Sequence, residues 1–200
     1  TSIVAANPAG TALTPVIRDV TGRIISVTTV FSNAASVNTE GLDFSADWQT
    51  GLGNLGDLNL NVAGTYLRKY DYQAVAGGPV YHGAGASNDQ QVPPPNARVR
   101  VNGRATWSYA GGTFNAMVRY YSPIRFTLTP TTNIKAWYPI DLSYTYNLDL
   151  GGREVQLGVG AQNVFAMKEP YVPVRGFQPF IPSLYDTRGR SVYVKAGVSF

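Results

Sequence analysis

Ser191-Val-Tyr-Val-Lys-Ala-Gly-Val-Ser-Phe200 alternates polar and apolar side chains without interruption. The apolar side chains share one side of this segment and comprise Val192, Val194, Ala196, Val198 and Phe200. A period of two predicts a β-strand with one apolar and one polar face. An apolar strand that ends on an aromatic residue is typical of a sheet whose outer face meets lipid. This segment therefore predicts a β fold, and the same pattern is expected in the rest of the chain.

The composition favours many strands joined by tight turns. Only 14% of the residues are charged, against about a quarter in soluble domains, and there are 21 Gly, 13 Pro and 13 Tyr. Because the chain has no Cys and one His, we predict no disulfide, no metal site and no cofactor. The net charge of +4 is spread along the chain without a run of Lys or Arg, so we expect no nucleic-acid partner. No stretch approaches the roughly 18 apolar residues of a membrane helix.

The two-residue alternation recurs along the chain and predicts about eight strands, with no helical periodicity between them. The predicted strands cover residues 23–32, 42–49, 58–66, 98–109, 114–121, 138–150, 154–162 and 191–200. Apolar side chains occupy one face of these segments and polar side chains the other.

The connections between these segments alternate in length. Short turns at residues 51–57, 110–112 and 151–152 contain glycine, which supplies the positive φ that tight hairpins need. Long stretches at residues 73–96, 122–135 and 166–190 contain Pro and Gly. The outward aromatic side chains fall at two levels, with Trp48, Trp107, Tyr109, Phe114 and Phe200 toward the short turns and Tyr66, Tyr120 and Tyr138 toward the long loops.

Short turns on one side, long loops on the other and two aromatic levels together predict an antiparallel transmembrane β-barrel. The predicted location is the bacterial outer membrane, where the apolar face contacts outer-membrane lipid. The alternative is a soluble β-sandwich, whose strands also alternate. A sandwich would have to hold all the Tyr side chains in its core with their hydroxyl groups hydrogen-bonded.

Four segments resemble, in order and spacing, motifs of TonB-dependent outer-membrane receptors. Asn33 followed by Thr39-Glu-Gly-Leu-Asp43 resembles the asparagine and the "T-x-G-hydrophobic-acid" opening of one barrel strand. Asp141-Leu-Ser-Tyr144 resembles a late "D-L-x-Y" strand. Gly158-Val-Gly-Ala-Gln-Asn-Val-Phe165 is similar to the family's "G-V-x-N-L-F" segment. Tyr185-Asp-Thr-Arg-Gly-Arg190 resembles the "Y-D-x-x-G-R" segment that leads into the last strand.

This resemblance implies that residues 1–200 are the C-terminal part of a barrel of about 22 strands, with the plug domain and the TonB-contacting segment outside the chain. It implies a receptor that binds a scarce small-molecule ligand, siderophore-like or similar, and imports it with energy from the TonB complex. It also implies that Phe200 is recognised by the barrel-assembly machinery. One departure from the family pattern is Ala166, where the family usually has an acid.

The alternative to a transport receptor is a complete small barrel with a structural or adhesive role. Siderophores, cobalamin-like ligands and oligosaccharides all fit the loop composition.

Four arginines fall on the polar face of two neighbouring predicted strands: Arg98, Arg100, Arg104 and Arg119. A turn centred on Gly111 and Gly112 predicts that Arg104 and Arg119 lie roughly opposite each other, which is unfavourable without an anionic partner. One such partner is an anionic substrate such as a ferric siderophore. The other is a set of acids on the plug or on neighbouring walls, such as Asp43, Asp47 and Asp141.

The long loops concentrate aromatic and arginine side chains, which suit capture of a bulky planar or anionic ligand. The predicted ligand-binding residues are Tyr81, His82, Arg125, Tyr171, Arg175, Phe177 and Phe180. The alternative is that these side chains pack loop against loop. We predict no enzymatic activity, because a His-based triad would need His82 and no Ser-plus-acid motif stands near it.

Overall fold

The computed structural model describes residues 16–28, 36–75, 77–87, 94–127, 132–172 and 179–199. Within these ranges the chain is all-β, as predicted, with thirteen strands and one three-residue 3-10 helix at Gly53–Leu55. The strands are β1 (Val16–Arg18), β2 (Ile24–Val27), β3 (Ser36–Gly51), β4 (Asp57–Gln73), β5 (Val80–His82), β6 (Ala86–Ser87), β7 (Val99–Tyr109), β8 (Gly112–Tyr121), β9 (Ile124–Phe126), β10 (Thr132–Ile134), β11 (Ile140–Asp149), β12 (Glu154–Gln162) and β13 (Ser191–Ser199).

The main sheet contains eight strands, and all its pairings are antiparallel. Seven strands follow the order β13-β12-β11-β8-β7-β4-β3, and β5 pairs with the end of β4. The predicted strand at residues 23–32 is wrong as a member of this sheet. Its described part contains only β2, which pairs with β1 in a separate two-stranded sheet. Within the described residues, β3 and β13 are the two edges of the main sheet and do not pair with each other.

Cross-strand pairing brings the apolar positions of all seven path strands to one side of the main sheet, here called the apolar face. One row of directly paired residues consists of Leu58, Trp107, Phe114, Tyr144, Val159 and Val194. The apolar face remains open, since Leu42 is 70% exposed and Val194 is 82% exposed. The predicted alternation is therefore confirmed, and the opposite side of the sheet is here called the polar face.

Strands β3 and β4 are longer than predicted, with 16 and 17 residues. A tilted strand needs only about 9–11 residues to cross the hydrocarbon layer of a membrane. Beyond the Leu42–Tyr66 pair the register shifts at a bulge between Glu40 and Gly41, and Arg68 forms a 2.7 Å ion pair with Glu40. The apolar face therefore ends at the Leu42–Tyr66 pair, and charged side chains follow it. Both strands continue beyond this point toward the long loops.

The short turns lie at one end of the main sheet. The turn between β7 and β8 is formed by Ala110 and Gly111, whose φ angles are 47° and 81°. The turn between β11 and β12 contains Gly151 and Gly152 at φ angles of 66° and 84°. Because the strands are antiparallel, all three long connections meet at the opposite end. This arrangement of short turns and long loops is as predicted.

Glycine lets an aromatic ring of the neighbouring strand lie flat on the sheet at several places. A Cβ atom at Gly160 would lie 2.4 Å from Cζ of Tyr193, and one at Gly64 would lie 2.5 Å from Cζ of Phe44. Gly158 accommodates the Lys195 side chain in the same way. Gly158 and Gly160 are therefore close-packing glycines.

Candidate functional site

The long-loop end of the molecule contains structure that the sequence pattern did not predict. Within the stretches 73–96 and 122–135, the short strands β5, β6, β9 and β10 form, and β6, β9 and β10 make a sheet of their own. The Arg98 guanidinium fastens this region to the main sheet. It donates hydrogen bonds to the carbonyl oxygens of Arg68 and Ala84, each at 3.0 Å.

Beneath these strands the long connections bury a shared apolar cluster, here called the loop core. Its members are Ala97, Ile124, Phe126, Ile134, Trp137, Val172, Ile181 and Tyr185. They come from all three long connections, so each loop is held by side chains of the others. The loop core is the most deeply buried part of the described chain: Ile124 is fully buried, and Phe126 and Trp137 are 1% exposed.

Aromatic contacts join the loop core to the polar face. The Trp137 ring lies 5.5 Å from the Tyr185 ring and 5.6 Å from the Tyr121 ring, measured between centroids. The Arg119 guanidinium carbon lies 5.8 Å from the centre of the Trp137 ring. Burial raises the pKa of Tyr185 to about 12, because the phenolate would lose its hydration, and nearby Tyr121 adds to the rise. Within the described chain the buried Tyr185 hydroxyl has no hydrogen-bond partner.

The turn after Tyr185 is ordered by a local ion pair. Asp186 accepts hydrogen bonds from the Arg188 guanidinium at 2.7 Å and from the Arg188 backbone N–H at 3.1 Å. These bonds, the side-chain bonds first, lower the pKa of Asp186 to about 2. The "Y-D-x-x-G-R" segment thus has a structural explanation, with one aromatic residue in the loop core and one acid that fixes the turn.

A second quoted segment also has a structural explanation at its end. Asn163, at φ 48°, is buried and donates from its side-chain nitrogen to the Met167 carbonyl at 2.9 Å. Its side-chain oxygen accepts from the Met167 N–H at 2.8 Å, and its own N–H donates to Asp141 at 2.8 Å. Ala166 adopts a φ of 52°, a left-handed conformation that is unfavourable for alanine.

A cavity of about 210 Å³ opens between β5, β6 and β9 and is here called the loop pocket. Its described lining residues are Val80, Tyr81, His82, Gly83, Ala86, Ser87, Arg125 and Thr127. The structure therefore brings together three residues that were predicted to bind ligand: Tyr81, His82 and Arg125. The hydroxyl groups of Ser87 and Thr127 were not predicted, because only the pairing of β6 with β9 brings them to the same place.

The other predicted ligand-binding residues do not line the loop pocket. Tyr171 is 72% exposed, and Phe180 is half-buried elsewhere in the long-loop end. Arg175 and Phe177 lie outside the described residues, as does Phe200, the predicted assembly residue.

Asp71 is a neighbour of His82 that the sequence analysis missed. The Asp71 carboxylate lies 2.6 Å from Nδ1 of His82, because β5 pairs with β4 in the register that sets these two residues opposite. The expectation from the sequence concerned only a Ser-plus-acid motif near His82, whereas Asp71 reaches His82 across the β4–β5 pair from eleven positions away. Since a carboxylate only accepts, His82 donates through Nδ1 and leaves Nε2 for another partner.

The four arginines of the polar face differ in their contacts. Arg98 donates to the carbonyl oxygens of Arg68 and Ala84, and Arg100 donates to the Asn96 side-chain oxygen at 2.9 Å. Arg119 forms an ion pair with Asp141 at 3.1 Å, so one of the wall acids named as an alternative partner does serve that role. Arg104 contacts only the Met117 sulfur, at 3.9 Å, and no carboxylate of the described chain pairs with it.

The prediction that Arg104 and Arg119 lie opposite each other is wrong. Arg104 pairs with Met117, and Arg119 pairs with Asn102. The cause is the turn, which is centred on Ala110 and Gly111 rather than one residue later. A turn shifted by one residue moves every cross-strand pair by two, so the two arginines lie on a diagonal.

The polar face also carries two open hollows. One, of about 450 Å³, lies beside Arg100 and includes Asp43 and Thr65. The other, of about 310 Å³, lies beside Arg104 and includes Asn115 and Tyr193. Apolar side chains also line them, Phe44 and Ala63 in the first and Met117 and Leu142 in the second, so neither hollow is lined by polar groups alone.

Within the described residues, no group of three or more His, Cys, Asp or Glu side chains could hold a metal ion. The same residues contain no helix of the length and apolarity needed to span a membrane. No model of a known protein family matches the chain, and neither the curated proteins nor the solved structures compared with it give a match.

Proposed function

We propose that this chain is the C-terminal part of the β-barrel of a TonB-dependent outer-membrane receptor, which binds a scarce small-molecule ligand and imports it. The observation that carries the proposal is the apolar face, which extends across seven paired strands and stays exposed. Soluble monomers rarely expose apolar patches larger than a few hundred Å². Hydrocarbon is the environment in which such a face is stable.

The polar face supports the same proposal from the other side of the sheet. It carries Asp43 and Asp47 on β3 and Arg100 and Arg104 on β7, the two strands that flank β4. Charged side chains of this kind are stable where water reaches them, as on the inner wall of a wide barrel. Eight strands is the number at which a small barrel closes around its own side chains. The open edges at β3 and β13 favour a wider barrel completed by strands outside the chain.

The loop core supports a binding role for the long-loop end. Three connections share one buried apolar cluster, so they hold a fixed shape beside the loop pocket. A preformed pocket lowers the entropic cost of binding a ligand. In this proposal the ligand binds at the loop pocket, and transport depends on the TonB complex acting through a region outside the chain. No covalent chemistry takes place.

The test uses the full-length protein in its own outer membrane. Deleting its gene should abolish uptake of one scarce nutrient, and collapsing the inner-membrane proton gradient should abolish that uptake in the undeleted strain. A protein with a structural or adhesive role would leave all uptake unchanged while its loss weakens the envelope or attachment. Recovery of the protein in the soluble fraction would contradict both functions.

A further inference from the structure

The loop pocket combines basic and hydroxyl groups without an acid. Its described lining includes Arg125, His82 and the hydroxyl-bearing side chains Tyr81, Ser87 and Thr127, and none of the described lining residues is Asp or Glu. Asp71, which does not line the pocket, is bound to Nδ1 of His82 and lies 3.5 Å from Lys69. The pocket therefore presents more positive than negative charge to whatever enters it.

Arg125 is the charged side chain of the loop pocket whose guanidinium has no hydrogen-bond acceptor among the described residues. It is exposed, it faces Asn133 across the β9–β10 pair, and its backbone N–H donates to the Gly85 carbonyl. Within the described residues, no carboxylate and no other acceptor bonds to its guanidinium group. A guanidinium offers a fork of donors whose geometry fits two oxygens of one carboxylate or phosphate.

His82 adds a second contact with a fixed direction. The 2.6 Å bond from its Nδ1 to Asp71 holds the ring, which leaves Nε2 as the nitrogen available to a ligand. When both ring nitrogens are protonated, Nε2 donates to an oxygen while Nδ1 stays bonded to Asp71. A carboxylate that accepts a hydrogen bond from one ring nitrogen fixes the tautomer of an imidazole and the role of its other nitrogen.

The volume of the pocket limits what it can hold. At about 210 Å³ it is smaller than the 300–1,000 Å³ typical of sites that enclose a whole drug-sized ligand. It has room for one polar end group while the rest of a ligand remains outside.

We propose that the loop pocket binds an oxyanion group, a carboxylate or a phosphate, with Arg125 as its ionic contact and His82, oriented by Asp71, as its second contact. This inference rests on the proposed function, since it names the chemistry by which the same loop site takes its ligand. The oxyanion belongs either to a free ligand or to the headgroup of a lipid that lies against the long-loop end.

The test uses the purified full-length protein in vesicles of zwitterionic lipid, with citrate as the probe and its neutral trimethyl ester as the uncharged comparison. Arg125→Gln should weaken citrate binding by about tenfold or more, which is the loss expected for one charge-assisted contact. Arg125→Lys should lose less, because it keeps the charge but not the fork. Arg68→Gln is the matched control, because the Arg68 guanidinium is already paired with Glu40 at 2.7 Å and does not line the loop pocket, and this variant should bind citrate as the wild type does.

A second set of vesicles containing anionic phospholipid distinguishes the two sources of the oxyanion. Competition by the anionic lipid in the wild type but not in Arg125→Gln assigns the pocket to a headgroup, and absence of competition assigns it to a free ligand. Equal citrate affinity in the wild type and Arg125→Gln overturns the proposal, and so does an equal loss in Arg68→Gln or equal binding of the ester. Insertion is checked first by protection from protease. A protein that does not insert contradicts the proposed function, whereas an inserted protein indifferent to Arg125 contradicts only this inference.

Discussion

At the scale of the residue, the lack of a side chain at Gly160 lets the Tyr193 ring of the neighbouring strand pack directly on the backbone. The Tyr193 ring covers Gly160 so closely that any Cβ atom there must displace it. Gly160→Ala should therefore destabilise the protein by about 1–2 kcal/mol, as overpacking does. Gly197→Ala is the matched control, because a Cβ atom there meets nothing within 4 Å on the adjacent strand. Urea unfolding of both variants checks this, and equal midpoints would show that the ring moves aside freely.

Tyr185 should make the loop core sensitive to alkali. Its pKa is raised to about 12, above the usual value of about 10, because burial favours the neutral phenol. The contribution of the buried, neutral Tyr185 to the free energy of unfolding is therefore complete below about pH 10, and it is lost as the pH rises through 12. We expect the loop pocket to open over this interval, seen as protease cleavage of the long loops together with tyrosinate absorbance.

Two phenylalanine variants separate Tyr185 from the other tyrosines. Tyr185→Phe should keep its stability near pH 7 to within about 1 kcal/mol, because the removed hydroxyl has no partner in the described chain. It should also shift the alkaline opening to higher pH. Tyr171→Phe changes a tyrosine that is 72% exposed and should leave the opening where it was. An unchanged alkaline transition in Tyr185→Phe would assign it to another group.

At the scale of the strand, the two faces should differ sharply in their tolerance of charge. Leu142→Arg and Val159→Arg place a cation on the apolar face, which should cost about 2–4 kcal/mol near the middle of a bilayer. Gln156→Arg and Ser143→Arg are the matched controls on the polar face of the same two strands and should cost much less. The yield of protein folded into lipid vesicles checks this, and similar losses on both faces would contradict lipid contact.

The strands and their faces could be predicted because the alternation repeats over many residues. Leu142 and Ser143 belong to a strand of ten residues, long enough for a period of two to stand out. The three-residue strands β5 and β9 contain too few residues for any period, and they form because other strands supply backbone partners, β4 for β5 and both β6 and β10 for β9. The sequence could therefore predict the kinds of side chain that line the loop pocket, but not which of them the fold brings together.

Register was the other property that the sequence left undetermined. Ala110 takes the first left-handed position of its turn, a conformation more often given to Gly or Asn, so the adjacent pair of glycines was a misleading centre. The residue that lies opposite Arg119 depends on where this turn is centred. Asp141 also receives the Asn163 N–H at 2.8 Å, a contact across the β11–β12 pair that no local pattern encodes.

At the scale of the molecule, the buried apolar side chains are concentrated in the loop core, whereas those of the apolar face stay exposed. The main sheet has few deeply buried side chains, and most of the fully buried ones lie among the long loops. A sheet without a protein core of its own depends on its surroundings for stability. The loop core, in contrast, is packed by its own residues and can keep the loop pocket formed at the surface.

The open edges lead to a prediction about the isolated 200-residue chain. Strands β3 and β13 leave backbone N–H and C=O groups unpaired along the edges of the described sheet, and such groups cost several kcal/mol each in hydrocarbon. Expressed alone and refolded in detergent, residues 1–200 should give a heterogeneous, protease-sensitive product. In the proposed receptor, the remaining barrel strands should convert it into one species that resists protease and changes its gel mobility on heating. A sharp, protected monomer of the 200 residues alone would instead favour a complete small barrel, since only closure removes both edges at once.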